Sequence, residues 1–241
     1  MEAVNEAAET LTINNQAIKP QFTKNYDATL EYYFEPVGMV SVGYFQKNIR
    51  DYIVSNVLGL VPSGADNGYN GDYAGYTLRS QTNAGGARID GWEFSYQQQL
   101  TFLPGLLRGL GVFANYTRLR TEGNFGGATV RRTGQVAGFV PQSGNAGFTY
   151  KYRRVGVRVS ANYTGENLTD FSTTEALLRY RAARTLVNVG TTLTLRPGTE
   201  FFFNVENLFD EPQQWYRYKP SRRQGTNFNG VGVFLGVDGR F

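Results

Sequence analysis

The sequence predicts an all-β fold, an antiparallel sheet of long strands, and three observations support it. The first is composition, since the chain has 16 Tyr, 17 Phe and 29 Gly but only 2 Met in 241 residues. Tyr and Phe favour strands, whereas Gly favours turns and sharp bends. The second is an alternation of apolar and polar residues through most of the chain. The third is a regular succession of short and long links between the alternating segments.

The alternation is clearest in residues 155–163. Three valines, an alanine and a tyrosine fall on one face there, and glycine, arginine, serine and asparagine fall on the other. Segments 92–102, 185–195 and 231–241 repeat the pattern. Successive side chains of an extended strand point to opposite faces, so a period of two predicts strands with one apolar and one polar face.

Nine strands follow from this pattern, and most of them are long. Strands of globular proteins most often have about five or six residues. A tilted strand that crosses a bilayer needs about nine to eleven. The predicted strands span residues 25–35, 38–54, 87–103, 109–122, 143–152, 155–167, 182–196, 200–208 and 230–241.

The links between these strands alternate in length without exception. Short links of a few residues are followed by long polar links rich in Gly, Asn and Tyr. Up-and-down barrels of the outer membrane have this asymmetry, with short periplasmic turns and long external loops. The short links are residues 35–38, 104–108, 153–154 and 197–199, and the long links are residues 55–86, 123–142, 168–181 and 209–229.

Aromatic residues lie next to the short links, as in the aromatic girdle of a membrane barrel. No run of about 18 apolar residues is present, so no transmembrane helix is predicted. The sequence therefore predicts an antiparallel, up-and-down transmembrane β-barrel. The aromatic residues beside the short links are Tyr32, Tyr33, Phe34, Phe102, Tyr150, Tyr152, Phe201, Phe202 and Phe203.

We expect only part of a barrel in this chain. Nine is an odd number, whereas bacterial single-chain barrels have an even number of strands. An open sheet of nine long strands would expose two unpaired edges. Residues 1–23 are therefore expected to be the remainder of an external loop, and residues 24–241 the C-terminal part of the barrel.

Catalysis and nucleic-acid binding are not predicted. The chain has no His and no Cys, which removes the commonest metal ligand, the usual general base and any thiolate chemistry. Asp90 and Glu93 lie three apart on a strand and so face opposite sides. Segment 123–134 is glycine-rich but lacks the Gly-Lys-Ser/Thr of a phosphate-binding loop. The net charge of +4 is modest and does not by itself suggest nucleic acid. From these observations together we expect no enzyme, cofactor, metal or nucleic-acid partner.

Contact with a small-molecule ligand is expected from the long links. Aromatic side chains together with arginines suit a catecholate, a carboxylate-bearing chelate or a sugar. Packing within the loops and contact with lipopolysaccharide are the alternative roles. The candidate ligand contacts are Tyr69, Tyr73 and Tyr76 in the first long link, and Trp215, Tyr216, Tyr218, Arg222 and Arg223 in the last.

Three stretches resemble the TonB-dependent receptors. Residues 203–212 contain Asn-Leu-Phe-Asp, which is similar to a signature before the last external loop of that family. Residues 236–241, Gly-Val-Asp-Gly-Arg-Phe, are similar to its terminal strand. Residues 14–34 resemble a family segment that runs from Leu-Lys-Pro-Glu to Glu-Tyr-Tyr-Phe, with Ile18 and Gln21 replacing the usual Leu and Glu.

The resemblance implies the bacterial outer membrane, a barrel of about 22 strands filled by an N-terminal plug, and energy supplied by the TonB protein. Such receptors take up scarce nutrients, for example an iron-siderophore chelate, a vitamin or a glycan. The terminal strand would also be read by the barrel-assembly machinery, through Val233, Leu235, Val237 and Phe241.

Two alternatives remain open from the sequence. A porin-like passive channel would have the same wall without a plug. A soluble β-rich binding protein would bury the apolar faces in its own interior. Outer-membrane lipid and lipopolysaccharide are expected partners for the first alternative and for the receptor, but not for the soluble protein.

Overall fold

The computed structural model describes residues 3–83, 85–124, 132–133, 135–170 and 175–239. The regular elements in these ranges are strands, apart from two 3₁₀ turns at Gly105–Gly109 and Glu175–Leu177. None of the described segments is a helix long and apolar enough to cross a membrane. In chain order the strands are β1 (Ala3–Asn5), β2 (Thr10–Ile13), β3 (Phe22–Phe34), β4 (Gly38–Arg50), β5 (Ile53–Leu60), β6 (Thr77–Asn83), β7 (Ala87–Gln99), β8 (Leu110–Asn124), β9 (Arg132–Thr133), β10 (Gln142–Tyr152), β11 (Val155–Thr164), β12 (Asn167–Asp170), β13 (Arg179–Arg181), β14 (Arg184–Arg196), β15 (Thr199–Glu206), β16 (Gln213–Arg217), β17 (Arg223–Asn227) and β18 (Gly232–Gly239).

The chain divides into two compact units. Unit 1 comprises residues 1–24, 47–88 and 123–133, and unit 2 comprises the rest. Unit 1 contains a four-stranded sheet in the order β1-β2-β6-β5, in which β2 and β6 run parallel. Asn83 fixes the end of this sheet, because its amide donates to the carbonyl oxygens of Lys19 and Asp51 at 2.9 and 2.8 Å.

The large sheet has the order β18-β15-β14-β11-β10-β8-β7-β4-β3, so each long strand pairs with the next long strand along the chain. This up-and-down arrangement confirms the nine predicted strands, with shifts of a few residues at their ends. The predicted strand 38–54 ends at Arg50 because Asp51 has a φ of 54°, in the left-handed region that breaks an extended strand. Strands β3 and β18 form the two edges, so the described sheet is a wall segment rather than a closed barrel.

Strand pairing carries apolar residues across the sheet in continuous rows. Phe148 on β10 lies opposite Val112 on β8 and Val159 on β11. The next residue along each strand belongs to a row on the other face, made mainly of polar or small residues. We name the two sides the apolar face and the polar face. The apolar row is Val112, Phe148, Val159, Val189, Val205 and Val233, and the polar-face row is Gly111, Thr149, Arg158, Gly190, Asn204 and Phe234.

The apolar face is largely uncovered. Val233, Leu235 and Val237 on β18 are 55%, 67% and 63% exposed. Among the buried hydrophobic side chains described in unit 2, only Ile89 lies in a long strand. A β-sandwich would bury such a face against a second sheet. An apolar surface of this extent therefore needs hydrocarbon or another apolar partner.

The long links contain strands that the sequence analysis treated as irregular. The link 55–86 contributes β6 and most of β5 to the sheet of unit 1. The links 168–181 and 209–229 contribute to a second small sheet, β12-β13-β16-β17, in unit 2. These strands are three to eight residues long and carry too few residues for their alternation to stand out. The predicted boundary between residues 23 and 24 stays a prediction, and β3 begins at Phe22.

Close packing on the polar face depends on Gly147. The Phe113 ring lies where a Cβ of Gly147 would be, 2.7 Å from the ring edge, and the Arg158 guanidinium stacks on that ring at 4.4 Å from its centroid. A Cβ would also collide with the carbonyl oxygen of Val159, which belongs to the neighbouring strand and cannot move alone.

We therefore expect Gly147→Ala to lower the free energy of unfolding by about 1–3 kcal/mol, the usual cost of overpacking. The matched control is Gly190→Ala, whose Cβ would meet only the flexible side chain of Asn204, at 3.0 Å. Urea unfolding of the protein in detergent micelles measures both. Equal midpoints for the two variants would contradict the packing described here.

Candidate functional site

The polar face of the large sheet carries hydrogen-bonding side chains in register. Asn115, Asn145 and Asn162 lie side by side on β8, β10 and β11. The Asn115 amide donates to the Asn145 side-chain oxygen at 2.9 Å. Arg158 lies two rungs away, stacked on Phe113. The face can therefore line a water-filled passage, because its groups bond to one another or to water rather than to a packed interior.

The second candidate is the small sheet β12-β13-β16-β17, which we call the loop sheet. Its register places Leu168, Tyr180 and Tyr216 on one face. Asn167, Arg181 and Trp215 lie on the other. The two faces have different chemistry, since one is aromatic and apolar and the other is cationic and amphipathic.

The tyrosine face is the core of the loop sheet. The rings of Tyr180 and Tyr216 stack with centroids 5.4 Å apart and an interplanar angle of 15°. Tyr216 is 5% exposed and Leu168 is 2% exposed. Burial raises the pKa of the Tyr216 phenol well above its ordinary value, and a hydrogen bond to the Glu166 carboxylate raises it further. Burial also raises the pKa of Tyr180, with help from the charges of Glu166 and Glu175. Both phenols therefore stay neutral, and their role is structural.

The opposite face offers groups that suit an anionic or polar ligand. The Arg179 guanidinium lies 5.9 Å from the Trp215 ring centroid. Arg179 is also opposite Arg217 in the register, so three arginines of β13 and β16 share this face with Trp215. Among the described residues, the Arg181 Nε and the Asn167 Oδ1 are buried without a hydrogen-bond partner. A buried donor and a buried acceptor without partners are rare in folded proteins.

The structure brings the three candidate tyrosines of the first long link together in unit 1. Tyr73 contacts Tyr69 edge-on with centroids 6.0 Å apart, and it contacts Tyr76 at 5.5 Å. Asn67 organises the loop beside them, since its amide donates to the carbonyl oxygens of Pro62 and Asp72 at 3.1 and 2.8 Å. The tyrosines are half-buried, so they pack on one another and still present part of their surface.

The candidates of the last long link do not form one surface. Trp215 and Tyr216 are adjacent on β16 and so point to opposite faces, with Tyr216 buried. Tyr218 is 40% exposed and carries the Lys219 ammonium over its ring at 5.2 Å. Arg222 and Arg223 are exposed. Arg223 is the first residue of β17, and Arg222 directly precedes it.

Sequence reasoning missed the residues that β12 and β13 contribute. Asn167, Arg179, Tyr180 and Arg181 reach Trp215 and Tyr216 only through strand pairing between two links that are distant in sequence. One signal was present, because Arg-Tyr-Arg at 179–181 and Tyr-Arg-Tyr at 216–218 both alternate arginine with tyrosine. Cross-strand side-chain pairs stabilise a sheet, so two matching short alternations in separate links can indicate paired strands.

The predicted assembly signal lies partly within the described residues. Val233, Leu235 and Val237 occupy the apolar face of β18, opposite Val205, Phe203 and Phe201 of β15. Phe241, the fourth residue of the predicted signal, lies outside the described residues.

The family model for the β-barrel of TonB-dependent receptor-like proteins matches residues 4–208. The match covers most of the chain, so the chain belongs to the TonB-dependent receptor family. This family comprises transporters rather than enzymes. No curated protein matches the sequence of the chain.

Several solved structures of the same family share the fold. A ferric enterobactin receptor from Pseudomonas aeruginosa is 17% identical, with a TM-score of 0.63 over 96% of this chain and 33% of that protein. The FrpB iron transporter from Neisseria meningitidis is 14% identical, with a TM-score of 0.64 over 95% of this chain and 32% of its own. The copper transporter OprC is 16% identical, with a TM-score of 0.64 over 94% of this chain and 31% of that protein. The chain therefore spans about a third of the length of these proteins.

The neutral state of Tyr216 predicts a pH dependence. Because the folded pKa is raised above the ordinary 10.0, stability from the buried phenol is fully present below pH 10. It is lost at higher pH, where the unfolded chain releases the proton and the folded loop sheet does not. We expect the near-ultraviolet circular dichroism of the protein to decline above pH 10, and Tyr216→Phe to reduce that decline.

Tyr218→Phe is the matched control, since Tyr218 is exposed and lies two residues further along. It should leave the pH dependence as it is in the parent protein. If Tyr216→Phe and Tyr218→Phe gave the same curve, the burial of the phenol against Glu166 would be refuted.

Proposed function

We propose that this chain forms about nine strands of the wall of an outer-membrane receptor that takes up a scarce nutrient, such as an iron-siderophore chelate, a vitamin or a glycan. The observation that carries the proposal is the register, which puts six apolar residues in one row across β8 to β18 and polar residues on the reverse. A wall with hydrocarbon on one side and water on the other needs this arrangement.

The partners follow from the same proposal. The apolar face would contact outer-membrane lipid and lipopolysaccharide, and the polar face would enclose an N-terminal plug in the whole receptor. The TonB protein would supply energy through that plug. The barrel-assembly machinery would recognise the last strand through Val233, Leu235, Val237 and Phe241. Residues 1–23 would belong to an external loop and residues 24–241 to the barrel.

The orientation of β18 can be tested with two adjacent residues. Leu235 lies on the apolar face and is 67% exposed, and Phe234 lies on the polar face and is 52% exposed. Leu235→Arg should oppose membrane insertion by about 2–4 kcal/mol, the cost of an arginine that faces lipid near the bilayer centre. Phe234→Arg should be tolerated, because its side chain would meet water.

Heat-modifiable gel mobility and resistance to urea extraction measure the inserted fraction of the receptor. Equal insertion of the two variants would defeat the membrane proposal. A folded, monodisperse species in buffer without detergent would also defeat it, and would favour the soluble alternative.

For the nutrient, we propose contact with the Arg and Trp face of the loop sheet. Trp215 provides a flat ring, Arg179, Arg181 and Arg217 provide positive charge, and the buried Asn167 Oδ1 lacks a donor among the described residues. A chelate or sugar that combines anionic oxygens with hydroxyl groups would satisfy these atoms. The tyrosine cluster at Tyr69, Tyr73 and Tyr76 and the exposed Tyr218, Arg222 and Arg223 are the further proposed contacts.

The two tryptophans of the chain allow a direct test, because Trp215 lies in the loop sheet and Trp92 on the apolar face of β7. In a Trp92→Phe receptor, Trp215 is this chain's only indole. Its emission should change saturably with one of three probes, ferric enterobactin, ferric citrate or Cu(II). In a Trp215→Phe receptor the same probe should leave the remaining emission unchanged and bind at least about tenfold more weakly, a loss of about 1.4 kcal/mol.

Uptake separates an active receptor from a passive channel. Accumulation of the bound probe should require the energised TonB system and should saturate. Accumulation that is linear in concentration and independent of TonB would support the passive channel instead.

A further inference from the structure

Two cavities open next to each other in the wall formed by unit 2. One is a polar pocket of about 340 Å³ and the other is an apolar groove of about 440 Å³. Both are lined by residues of β7, β8 and β10. On each of these strands the pocket residues lie next to the groove residues, a few positions along the strand. Arg118 of the pocket lies opposite Gln142, and two residues along, Tyr116 of the groove lies opposite Gly144. The two cavities therefore occupy successive rungs of the sheet.

The groove belongs to the apolar face. Ala114, Ala146 and Ala161 lie in register across three strands and form a floor of small side chains. Each lies two residues along its strand from Val112, Phe148 or Val159, and so points to the same face as those residues. Aromatic rings form the walls of the groove, namely Phe94, Tyr96, Tyr116 and Tyr163. A straight hydrocarbon chain fits a furrow with a flat floor and ring walls.

Of the two arginines that line the pocket, one has no partner among the described residues. Arg120 is paired with Glu122 at 2.5 Å. The Arg118 guanidinium has no hydrogen-bond or ion-pair partner within the described part of the chain. Asp90 is the acidic group that lines the same pocket, and it is already engaged in an interaction within the fold.

The pocket also holds an acceptor that needs a donor. The Gln135 side-chain oxygen is buried and has no hydrogen-bond partner among the described residues. Trp92, which is 49% exposed, lines the pocket, and Phe94, two residues further along β7, lines the groove. An indole at the level where polar head and apolar chain meet is typical of a membrane interface.

We infer that the pocket and groove together bind one phosphorylated glycolipid of the outer leaflet. Its phosphate would pair with Arg118, a sugar hydroxyl or amide N–H would donate to the Gln135 oxygen, and one acyl chain would lie on the alanine floor. A phosphatidylcholine head has no donor for Gln135, and an apolar protein segment has no anion for Arg118. The inference rests on the proposed membrane function, since the apolar face must meet lipid.

Trp92 reports on this site in the intact receptor that carries Trp215→Phe. The protein is held in nanodiscs of phosphatidylcholine, and lipid A is then added in steps. The emission of Trp92 should shift saturably with lipid A, and Arg118→Gln should raise the apparent Kd at least about tenfold. Ala146→Phe, which fills the groove without touching the pocket, should weaken binding as well. Arg108→Gln, in the 3₁₀ turn after β7, is the matched control and should bind like the parent.

The outcomes separate this inference from the proposed function. Phosphatidylglycerol and inorganic phosphate are the competing probes. If phosphatidylglycerol, which is anionic but carries no sugar, shifts Trp92 equally, the face binds anionic lipid without selectivity for a glycolipid and the inference is wrong. If inorganic phosphate competes with full effect, the site is a free-anion site and the inference is again wrong. If lipid A gives no shift while the receptor is inserted, the lipid site fails and the proposed function stands. Failure to insert at all would overturn both.

Discussion

The register between neighbouring long strands is the constraint on which the rest of this structure depends. A strand exposes alternate side chains to its two faces, so a slip of one residue would move every apolar side chain to the polar side. The row from Val112 to Val233 crosses six strands without a break. Close contacts help to hold it, because Phe113 packs over Gly147, where a Cβ would lie 2.7 Å from the ring.

The same register decides which sheet has a core of its own and which sheet needs an apolar environment to cover one face. The large sheet buries little on its apolar face, as the exposure of Val233, Leu235 and Val237 indicates. Its long strands pair with their neighbours, with one register shift between β14 and β15. Its apolar surface is stabilised only when it leaves water. The loop sheet differs, since Tyr180, Tyr216 and Leu168 give it a small core of its own.

The long-strand wall and the loop sheet place different limits on substitution. A regular wall limits substitutions, because exchanging an apolar for a charged side chain on the lipid-facing side is costly. Loops tolerate many, and binding residues are often placed on loops that a rigid scaffold positions. Here the loop strands add order to the links, so that Arg181, Trp215 and Asn167 meet on one face although they come from two separate links.

The sequence by itself determined the nine long strands, their up-and-down order, the two faces and the family. It could do so because a period of two, repeated over ten or more residues, is a local signal that needs no knowledge of neighbours. The tertiary structure alone decided the loop sheet and the adjoining cavities. Tyr216 is the clearest case, because its sequence setting beside Trp215 predicts an exposed aromatic and only the pairing with β13 buries it. Short strands carry too little pattern, and contact between distant links follows from the register of the strands that hold them rather than from any local run of residues.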